Sequence, residues 1–388
     1  MKGVSSTLGN GIIITTRSKK VASTVNPFYN YPVKGLSHEE CWSIIKTKAF
    51  DGNAEVPSGF ETIGKEIAKR CQGLPLAAKV VGGVLCRCKS VQDWRSIKEN
   101  WLSDGEGGET ISTILKLSYD HLSSPSLKKC FAYCSIFPKG KVIVKEELIE
   151  LWMAEGFLQP IGRDDMESVG NMFLNVLLQN SLLQAAEADF YGRECCMMHD
   201  LVHDLASSVL YTNNTDGSTI VRYKFHEKDS SDIPEEVSRN LRTLLLWGGG
   251  NSGTIFSNFK SLHNLTLYGY RYKELSSSIR ELIHLRNLNI SYTSIANIPE
   301  WIGIFIYIVR TELPAEIGRL TSLQTLEKFN VGKEKGYQIE ELGSLKNLKG
   351  TLEIKNLERV RDKEEAMKAN MLEKSNLSKL VFSWDERV

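Results

Sequence analysis

Residues 197–206, near the middle of the chain, read MMHDLVHDLA and separate two parts of the sequence with different patterns. A helix beginning near residue 200 places Leu201, Leu205 and Val209 on one apolar face at spacings of four residues. His199 precedes this helix, so its imidazole and the first free backbone N–H groups share one place. That arrangement predicts a site for an anion such as a phosphate. The sequence before the stretch predicts helical domains, and the sequence after it predicts repeats.

Length and composition indicate an ordinary soluble globular protein. The chain has 388 residues, 41% apolar and 24% charged, and this length predicts about two to four domains. The formal net charge of +1 gives no bulk electrostatic reason to expect nucleic acid or an anionic membrane as a partner. The longest apolar runs, such as residues 302–309, are far shorter than the roughly 20 residues of a membrane-spanning helix. Residues 1–9 contain no apolar segment, so neither a membrane span nor a secretory signal is expected.

The cysteines follow no regular spacing, and a chain of this length does not need disulfides to fold. Their pattern favours reduced cytosolic thiols packed in cores. The cysteines at 195 and 196, followed by His199 and His203, leave a zinc site as an alternative interpretation. Adjacent cysteines rarely both reach one tetrahedral ion, and no second C-x-x-C pair is present, so we expect no metal site.

Near the N-terminus, residues 11–17 read GIIITTR, a short run of β-branched residues typical of a strand buried on both faces of a parallel sheet. No other run before residue 35 supplies a neighbouring strand. We therefore interpret the run as the last part of an α/β domain whose earlier strands are missing. Ligands of such sheets bind at the carboxyl ends of the strands, which makes Arg17 a candidate to face a terminal phosphate. A solvated arginine at a strand end is the alternative.

Residues 36–105 carry the pattern of a small helical bundle. Ser37 and Glu40 form a capping box that predicts a helix over residues 38–50. Gly73 ends a later apolar stripe, and Pro75 opens a helix rich in small residues, which allow close helix packing. Short connections between these elements favour a bundle.

Residues 106–212 predict a winged-helix-like unit. Glycines at 105–108 mark a flexible boundary, after which helical periodicity resumes. The segments 182–183 and 196–197 are candidates to pair as a small wing. Winged helices often bind DNA, but few Lys or Arg cluster on any predicted helix here, so DNA is not an expected partner.

Leucine-rich repeats follow a segment at 213–240 that we interpret as a linker. The pattern Leu-x-x-Leu-x-Leu at 262–267 recurs as Leu-x-x-Leu-x-Ile at 285–290, a period of about 23 residues. Partial matches begin at residues 323, 345 and 377, which favours a solenoid of stacked strands. The interval from 285 to 323 does not fit this period and contains the run 302–308. We expect a lost segment there and a truncated C-terminal repeat.

Four motifs occur in one order along the chain: TTR at 15–17, GLPLA at 73–77, KCFAYCSIFP at 129–138 and MHD at 198–200. Together they make the chain similar to the plant NB-ARC leucine-rich-repeat disease-resistance proteins, most closely to the coiled-coil class. The resemblance covers essentially the whole chain. With it, the expected fold is multidomain α+β, from an N-terminally truncated family member.

The resemblance assigns a domain to each part of the chain. Residues 1–35 are then the C-terminal remnant of a P-loop α/β nucleotide-binding domain, and 36–105 the helical ARC bundle. Residues 106–212 form the winged-helix-like ARC subdomain, 213–240 the linker, and 241–388 an irregular, truncated leucine-rich-repeat solenoid.

The resemblance also implies a function: a cytoplasmic immune receptor switched between ADP at rest and ATP when active, and not an enzyme. Its repeats recognise a protein partner, either a pathogen effector or a guarded host protein. In this sequence Arg17 would sense the terminal phosphate, Pro75 would pack on the adenine, and His199 would contact the β-phosphate of ADP. Arginine is a permanent cation, proline a rigid apolar face, and a neutral histidine a single donor beside a helix start.

The chain departs from the family because it contains no G-x-x-x-x-G-K-[ST] motif and no upstream strand ending in an acidic residue. Losing the P-loop removes several charge-assisted hydrogen bonds, each worth roughly 1.5 to 3 kcal/mol. We expect this polypeptide to bind ADP weakly or not at all. A sub-micromolar dissociation constant measured by calorimetry would contradict that expectation.

Two other functions stay open at this point. The first is a leucine-rich-repeat adaptor that binds protein partners without nucleotide; its pull-down would be insensitive to ADP and lost on removal of residues 240–388. The second is an enzyme, which the sequence disfavours because no Ser/His/Asp, Cys/His or paired-carboxylate arrangement stands out.

Overall fold

The computed structural model describes residues 13–16, 18–25, 29–50, 52, 56–100, 110–160, 165–190, 192–211, 220–227, 230–248, 256–295, 307–309, 316–319, 321, 323, 326 and 328–384. The α-helices of this part of the chain are α1 (Lys19–Val25), α2 (His38–Ala49), α3 (Phe60–Arg70), α4 (Pro75–Cys86), α5 (Val91–Asn100), α6 (Thr110–Asp120), α7 (Pro125–Tyr133), α8 (Lys145–Ala154), α9 (Met166–Gln179), α10 (Asp200–Tyr211), α11 (Glu235–Ser238) and α12 (Lys363–Met367). The strands are β1 (Ile143–Val144), β2 (Gln184–Ala186), β3 (Cys195–Met197), β4 (Tyr223–His226), β5 (Thr243–Trp247), β6 (Asn264–Gly269), β7 (Asn287–Thr293), β8 (Tyr307–Val309), β9 (Lys328–Asn330), β10 (Gly350–Lys355) and β11 (Leu377–Phe382).

Helices α2 to α5 form the expected bundle. The capping box is confirmed: the Ser37 hydroxyl accepts from the Glu40 N–H at 3.1 Å, and the Glu40 carboxylate accepts from the Ser37 N–H at 2.7 Å. In the bundle core Trp94 packs against Phe50 and Phe60, with ring centroids 5.6 and 5.0 Å apart. These contacts place α5 against α3 and the end of α2.

The winged-helix part combines α7 to α10 with a small antiparallel sheet of order β1-β3-β2. The predicted wing is confirmed as the β2–β3 hairpin, in which Ala185 lies opposite Cys196. Its first strand begins at residue 184 rather than 182. The reason is that the N–H groups of Leu182 and Leu183 both donate to the Leu177 carbonyl, closing the end of α9.

One hydrophobic core runs through both the bundle and the winged-helix part, from Cys41 to Ala206. The two parts meet where α4 crosses the end of α9. A Cβ added to Gly83 would lie 2.5 Å from the Gln179 carbonyl oxygen, so only glycine allows this approach. The boundary drawn at residues 105 and 106 therefore separates two parts of the chain that share a core.

The repeats form two parallel sheets, with strand orders β4-β5-β6-β7-β8 and β11-β10-β9. Tyr223 pairs with Thr243, Thr243 with Asn264, and Asn264 with Asn287, so successive repeats advance by 20 to 23 residues. The inward leucines of both sheets belong to a single second core, from Ile233 to Ala369. This arrangement is that of leucine-rich repeats.

The structure differs from the sequence interpretation in the segment 213–240. Strand β4 lies inside it and pairs with β5, so the sheet begins before residue 241. Its four residues alternate aromatic and polar side chains, and Ile233 and Ser238 downstream are also buried. An isolated four-residue run is too short to be separated from a linker by periodicity alone.

The irregular run at 302–308 also differs from expectation. Residues 307–309 form β8, which continues the first sheet and sets Tyr307 opposite Asn287, 20 residues earlier. A repeat shorter than the assumed 23 residues therefore accounts for part of the odd spacing without a lost segment there. Residues 302–306 lie outside the described residues.

The N-terminal run does not form the expected buried strand in the part that the structure describes. Residues 13–16 have no regular secondary structure, and the Ile13 side chain is 93% exposed. A parallel strand needs hydrogen-bonded neighbours, and no described strand pairs with this run. None of the described helices is long and apolar enough to cross a membrane.

Candidate functional site

His199 is the N-cap residue of α10. Its Nδ1 accepts a hydrogen bond from the Leu201 N–H at 3.2 Å, and its carbonyl accepts the first helical hydrogen bond, from the His203 N–H at 2.9 Å. A nitrogen that accepts from an N–H carries no proton, so the single proton of this imidazole lies on Nε2. The half-buried ring therefore keeps one N–H donor at the positive end of the helix.

Pro75 occupies the first turn of α4 and is exposed. The preceding Gly73 adopts φ 72°, and a Cβ there would lie 2.7 Å from the Leu36 carbonyl oxygen. The Leu36 N–H donates to the Gly73 carbonyl at 2.9 Å, which fixes this turn against the entry to α2. The GLPL glycine thus sets the position at which the proline ring is presented.

The structure does not bring the predicted site residues into one described cluster. Helix α10, with His199 at its start, packs against α6 and α7, whereas α4, with Pro75 at its start, packs against α2 and α6. Arg17 lies outside the described residues. An exposed apolar proline ring suits the face of an adenine, and an imidazole N–H donor suits a phosphate oxygen, so the chemistry of these two residues is compatible with ADP.

His203 has a packing role. Its Nε2 lies 2.8 Å from the Phe137 carbonyl, and its Nδ1 lies 3.4 Å from the Ser207 hydroxyl. Burial raises the pKa of the Cys196 thiol to about 12, which opposes the thiolate that a metal requires. Among the described residues no group of three or more His, Cys, Asp or Glu side chains is arranged to hold a metal ion.

The same helix α10 holds the turn that follows α7. Besides the contact of His203 with the Phe137 carbonyl, Asp204 forms an ion pair with Lys139. The Lys141 N–H donates to the Pro138 carbonyl at 3.0 Å, and Gly140 has φ 74°, as the third residue of a type II turn requires. Two side chains of the MHDLVHDLA stretch therefore anchor the turn at residues 138–141.

A second cluster lies where α8 meets the repeat sheet, and its centre is Glu155. Glu155 is the C-cap residue of α8, and its side chain is fully buried. The Thr243 hydroxyl donates to it at 2.7 Å and the Asn264 amide at 3.0 Å. The Tyr133 hydroxyl, at the end of α7, lies 2.9 Å from the Thr243 hydroxyl. Because Thr243 gives its proton to Glu155, Tyr133 is the donor in that contact.

Two arginines of the repeats cap the end of α8. Arg242 donates from Nη2 to the Glu155 carbonyl, and Arg286 donates from Nη1 to the Ala154 carbonyl, both at 3.2 Å. Cations at a helix C-terminus satisfy free carbonyls and complement the helix dipole. Arg242 Nε also lies 3.1 Å from Glu155 Oε2 but lacks hydrogen-bond geometry, so that contact is Coulombic.

Burial sets the ionisation of this junction, which we define as Glu155, Arg242, Thr243, Asn264 and Tyr133. Burial raises the pKa of Glu155, against the opposing effects of Thr243, Arg242 and Asn264. Burial next to Arg242 and Arg286 lowers the pKa of His263 to about 4. His263 is therefore neutral near pH 7, and its Nδ1 accepts from Arg242 Nη2 at 3.1 Å.

Two family models match this chain. A winged-helix domain of disease resistance proteins matches residues 136–206, and a leucine-rich repeat region matches residues 235–386. The similar proteins include the disease resistance protein RGA2 of Solanum bulbocastanum, which is 34% identical over 417 residues covering 97% of this chain. RGA1 of the same species, assigned to disease resistance provisionally, gives the same identity and coverage.

The chain belongs to the plant disease resistance proteins. It spans 41% of the length of RGA1 and of RGA2. The matched winged-helix region contains both the turn held by α10 and the helix α8 that docks on the repeats.

Sequence reasoning missed the junction of this disease resistance chain, although one signal was present. The repeat pattern also fits residues 241–246, one unit earlier than 262–267. When the units are aligned, one repeat position is occupied by Arg242, His263 and Arg286. The next position is occupied by Thr243, Asn264 and Asn287. Polar residues recurring beside buried leucines mark a covered strand face. No local pattern in the chain indicates that α8 covers this face.

Proposed function

We propose that this chain is part of a cytoplasmic plant immune receptor in which the leucine-rich repeats hold the winged-helix domain in a resting arrangement. Membership of the disease resistance family supports the defence role. The observation that carries the proposal is the junction, in which the buried Glu155 carboxylate accepts hydrogen bonds from Thr243 and Asn264 and forms an ion pair with Arg242, all three of them residues of the repeats. Removing one of these partners from the docked arrangement leaves an uncompensated buried carboxylate, which disfavours that arrangement relative to a separated one.

In the receptor of which this chain is part, the nucleotide of this proposal is ADP at rest and ATP in the active state. The given sequence contains no P-loop motif, so by itself it is expected to bind ADP weakly or not at all. His199 donates its Nε2–H to a phosphate oxygen, and the first N–H groups of α10 favour the same negative charge. Pro75 offers an apolar face to the adenine. The role of Arg17 at the terminal phosphate rests on the family resemblance. A bound nucleotide supplies charge that differs between the two states, and the chain acts as a switch rather than as an enzyme.

Coupling between the two ends follows from how α10 is packed. Helix α10 lies against α7, whose last residue, Tyr133, donates to Thr243 in the repeats. It also anchors the turn at residues 138–141 through His203 and Asp204. A displacement of α10 on nucleotide exchange therefore acts on the Tyr133 contact with Thr243 and on this turn, whose Lys141 lies over the Trp247 ring of the repeats. A protein partner that binds the repeats acts on the same contacts from the other side.

The proposal is tested by replacing the matching segment of the relative RGA2 with this chain and expressing the chimera in leaf tissue. We expect the chimera to be silent, and its Arg242→Glu variant to cause local cell death, because the new carboxylate faces Glu155 and opens the junction. Arg239→Glu is the matched control: Arg239 is three residues away and pairs only with Glu235 on its own helical turn. Equal responses of the two variants, at equal protein levels, would contradict the proposal.

A further inference from the structure

Three aromatic side chains form a row across neighbouring strands of the first repeat sheet. The rings of Phe225 and Trp247 have centroids 6.3 Å apart, and those of Trp247 and Tyr268 are 5.1 Å apart, with interplanar angles of 32° and 38°. Trp247 and Tyr268 are register partners in β5 and β6. We call these residues the aromatic row.

An ammonium group of the chain itself is seated on this row. Lys141 Nζ lies 3.7 Å from the centroid of the Trp247 ring and 5.8 Å from that of Tyr268. Contacts of this kind are attractive because the ring face is electronegative. Glu147 lies nearby and accepts from the Tyr268 hydroxyl at 3.4 Å; burial lowers the pKa of Lys141, and the negative charge of Glu147 opposes that effect. The ring faces and Glu147 therefore both attract the ammonium group.

The row is only partly covered by Lys141. The Trp247 side chain remains 42% exposed. On the other side of the row, Phe225 lines a surface cavity of about 680 Å³ together with His226, Glu227 and Asp232. Two carboxylates thus stand beside the exposed end of the aromatic row, where a further cation is favoured.

We propose that the aromatic row and the adjoining acidic cavity are a docking site for a lysine- or arginine-bearing segment of a protein partner, and that Lys141 occupies its seat in the resting arrangement. This inference rests on the proposed function, since it names the chemistry of the partner that the repeats recognise. The seated ammonium identifies the kind of group that the row accepts, and Glu227 and Asp232 extend the same preference beyond the seat.

A partner that binds the aromatic row must displace Lys141, so its binding is coupled to the position of the turn at residues 138–141. The turn at 138–141 carries Lys141 and is fixed to α10 by His203 and Asp204. An intramolecular ligand competes at a high effective concentration, so a partner with one basic residue is a poor competitor. A segment with several basic residues gains contacts at Glu227 and Asp232 that Lys141 does not make. Its binding releases the turn from the repeats.

The test measures binding of a dye-labelled hexalysine peptide to the full chain by fluorescence anisotropy, with hexaglutamate as the negative probe. Lys141→Met keeps the apolar stem and empties the seat. Lys139→Met removes an equal charge from the same turn, but Lys139 pairs with Asp204 rather than the row. We expect Lys141→Met to tighten hexalysine binding roughly 2- to 30-fold more than Lys139→Met, the range that cation–π contacts provide.

The second arm changes the seat itself. Added to Lys141→Met, Trp247→Leu should abolish the gain, and Trp247→Phe, which keeps a ring, should keep part of it. Equal tightening by both lysine variants, or a gain that survives Trp247→Leu, would overturn the proposal and leave only general charge attraction. Neither result bears on the leaf assay, which depends on Arg242, so failure of this site and failure of the proposed function are distinguishable.

Discussion

The two ends of the winged-helix domain are built differently. At the start of α10, His199 is half-buried and its side chain accepts a hydrogen bond from a backbone N–H only two residues away. At the repeat-facing end, Glu155 is fully buried and is bonded by side chains 88 and 109 residues later in the chain. The first end is held by local structure. The second exists only when two cores are packed together.

A local hydrogen bond holds the His199 end, whereas contacts between distant parts of the chain hold the Glu155 end. A local cap contributes about 1 kcal/mol and can be lost without disturbing the rest. A buried carboxylate with long-range donors cannot lose them without exposing an uncompensated charge. Substitutions at the two ends should therefore lower the free energy of unfolding by different amounts. They should also disturb regions of different size.

The largest effect is expected for Glu155→Ala. It should destabilise the chain by about 3 kcal/mol, the low end for breaking a buried ion pair, because Arg242 keeps 32% of its side chain in solvent. Urea denaturation measures the loss. Glu146→Ala, on the exposed side of the same helix, is the control and should stay within about 0.5 kcal/mol of wild type. A loss at Glu155 no greater than that of the control contradicts the buried-junction account.

The difference between the two ends also explains what the sequence could predict. The MHD and GLPL motifs, the capping box at Ser37, the wing and the repeat period are all local, so their spacing was visible. The junction was not, because nothing local reveals that α8 packs onto the strands after Arg242 and His263. The strand expected at 11–17 failed for the opposite reason: its local pattern was clear, but residues 13–16 have no described neighbour to pair with.

The next effect concerns the contact between the bundle and the winged-helix part. Gly83→Ala forces a Cβ to within 2.5 Å of the Gln179 carbonyl and 2.6 Å of Asn180 Cα, both backbone atoms. Overpacking of this kind costs about 1 to 3 kcal/mol. Thermal unfolding should show a lower midpoint than for Lys79→Ala, an exposed position on the same helix. If Gly83→Ala matches that control, α4 and α9 do not approach each other as described.

At the start of α10, His199→Ala should cost about 1 kcal/mol through loss of the cap on the Leu201 N–H. The effect should stay local, seen as faster hydrogen exchange at the start of α10 only. His199→Asn supplies a side-chain oxygen for the same N–H and should restore stability. A failure of asparagine to restore it, with exchange altered across the repeats, would mean that His199 is not a local cap.

A further effect is a pH dependence of the junction. His263 has its pKa lowered from 6.5 to about 4, so the unfolded chain binds its proton first. Its contribution to stability is complete above pH 6.5 and is lost as the pH falls from there through about 4. Glu155, with a raised pKa, acts in the opposite sense: its contribution is complete below 4.5 and is lost as the pH rises through its folded value.

The two contributions are separated by substitution. Between pH 6.5 and 4, wild type should lose stability faster than His263→Asn as the pH falls. Denaturation midpoints at several pH values measure the slopes. Parallel curves for wild type and His263→Asn would show that His263 does not titrate differently in the folded junction.

We propose that the winged-helix domain and the repeats form one unit, coupled through Glu155 and its partners in the repeats. A double-mutant cycle of Glu155→Ala and Arg242→Ala, followed by urea denaturation of the full chain, tests it most directly. We expect a coupling free energy of about 0.5 to 3 kcal/mol, as for contacting residues of one polar network. Additive effects, with a coupling free energy of zero, would contradict it.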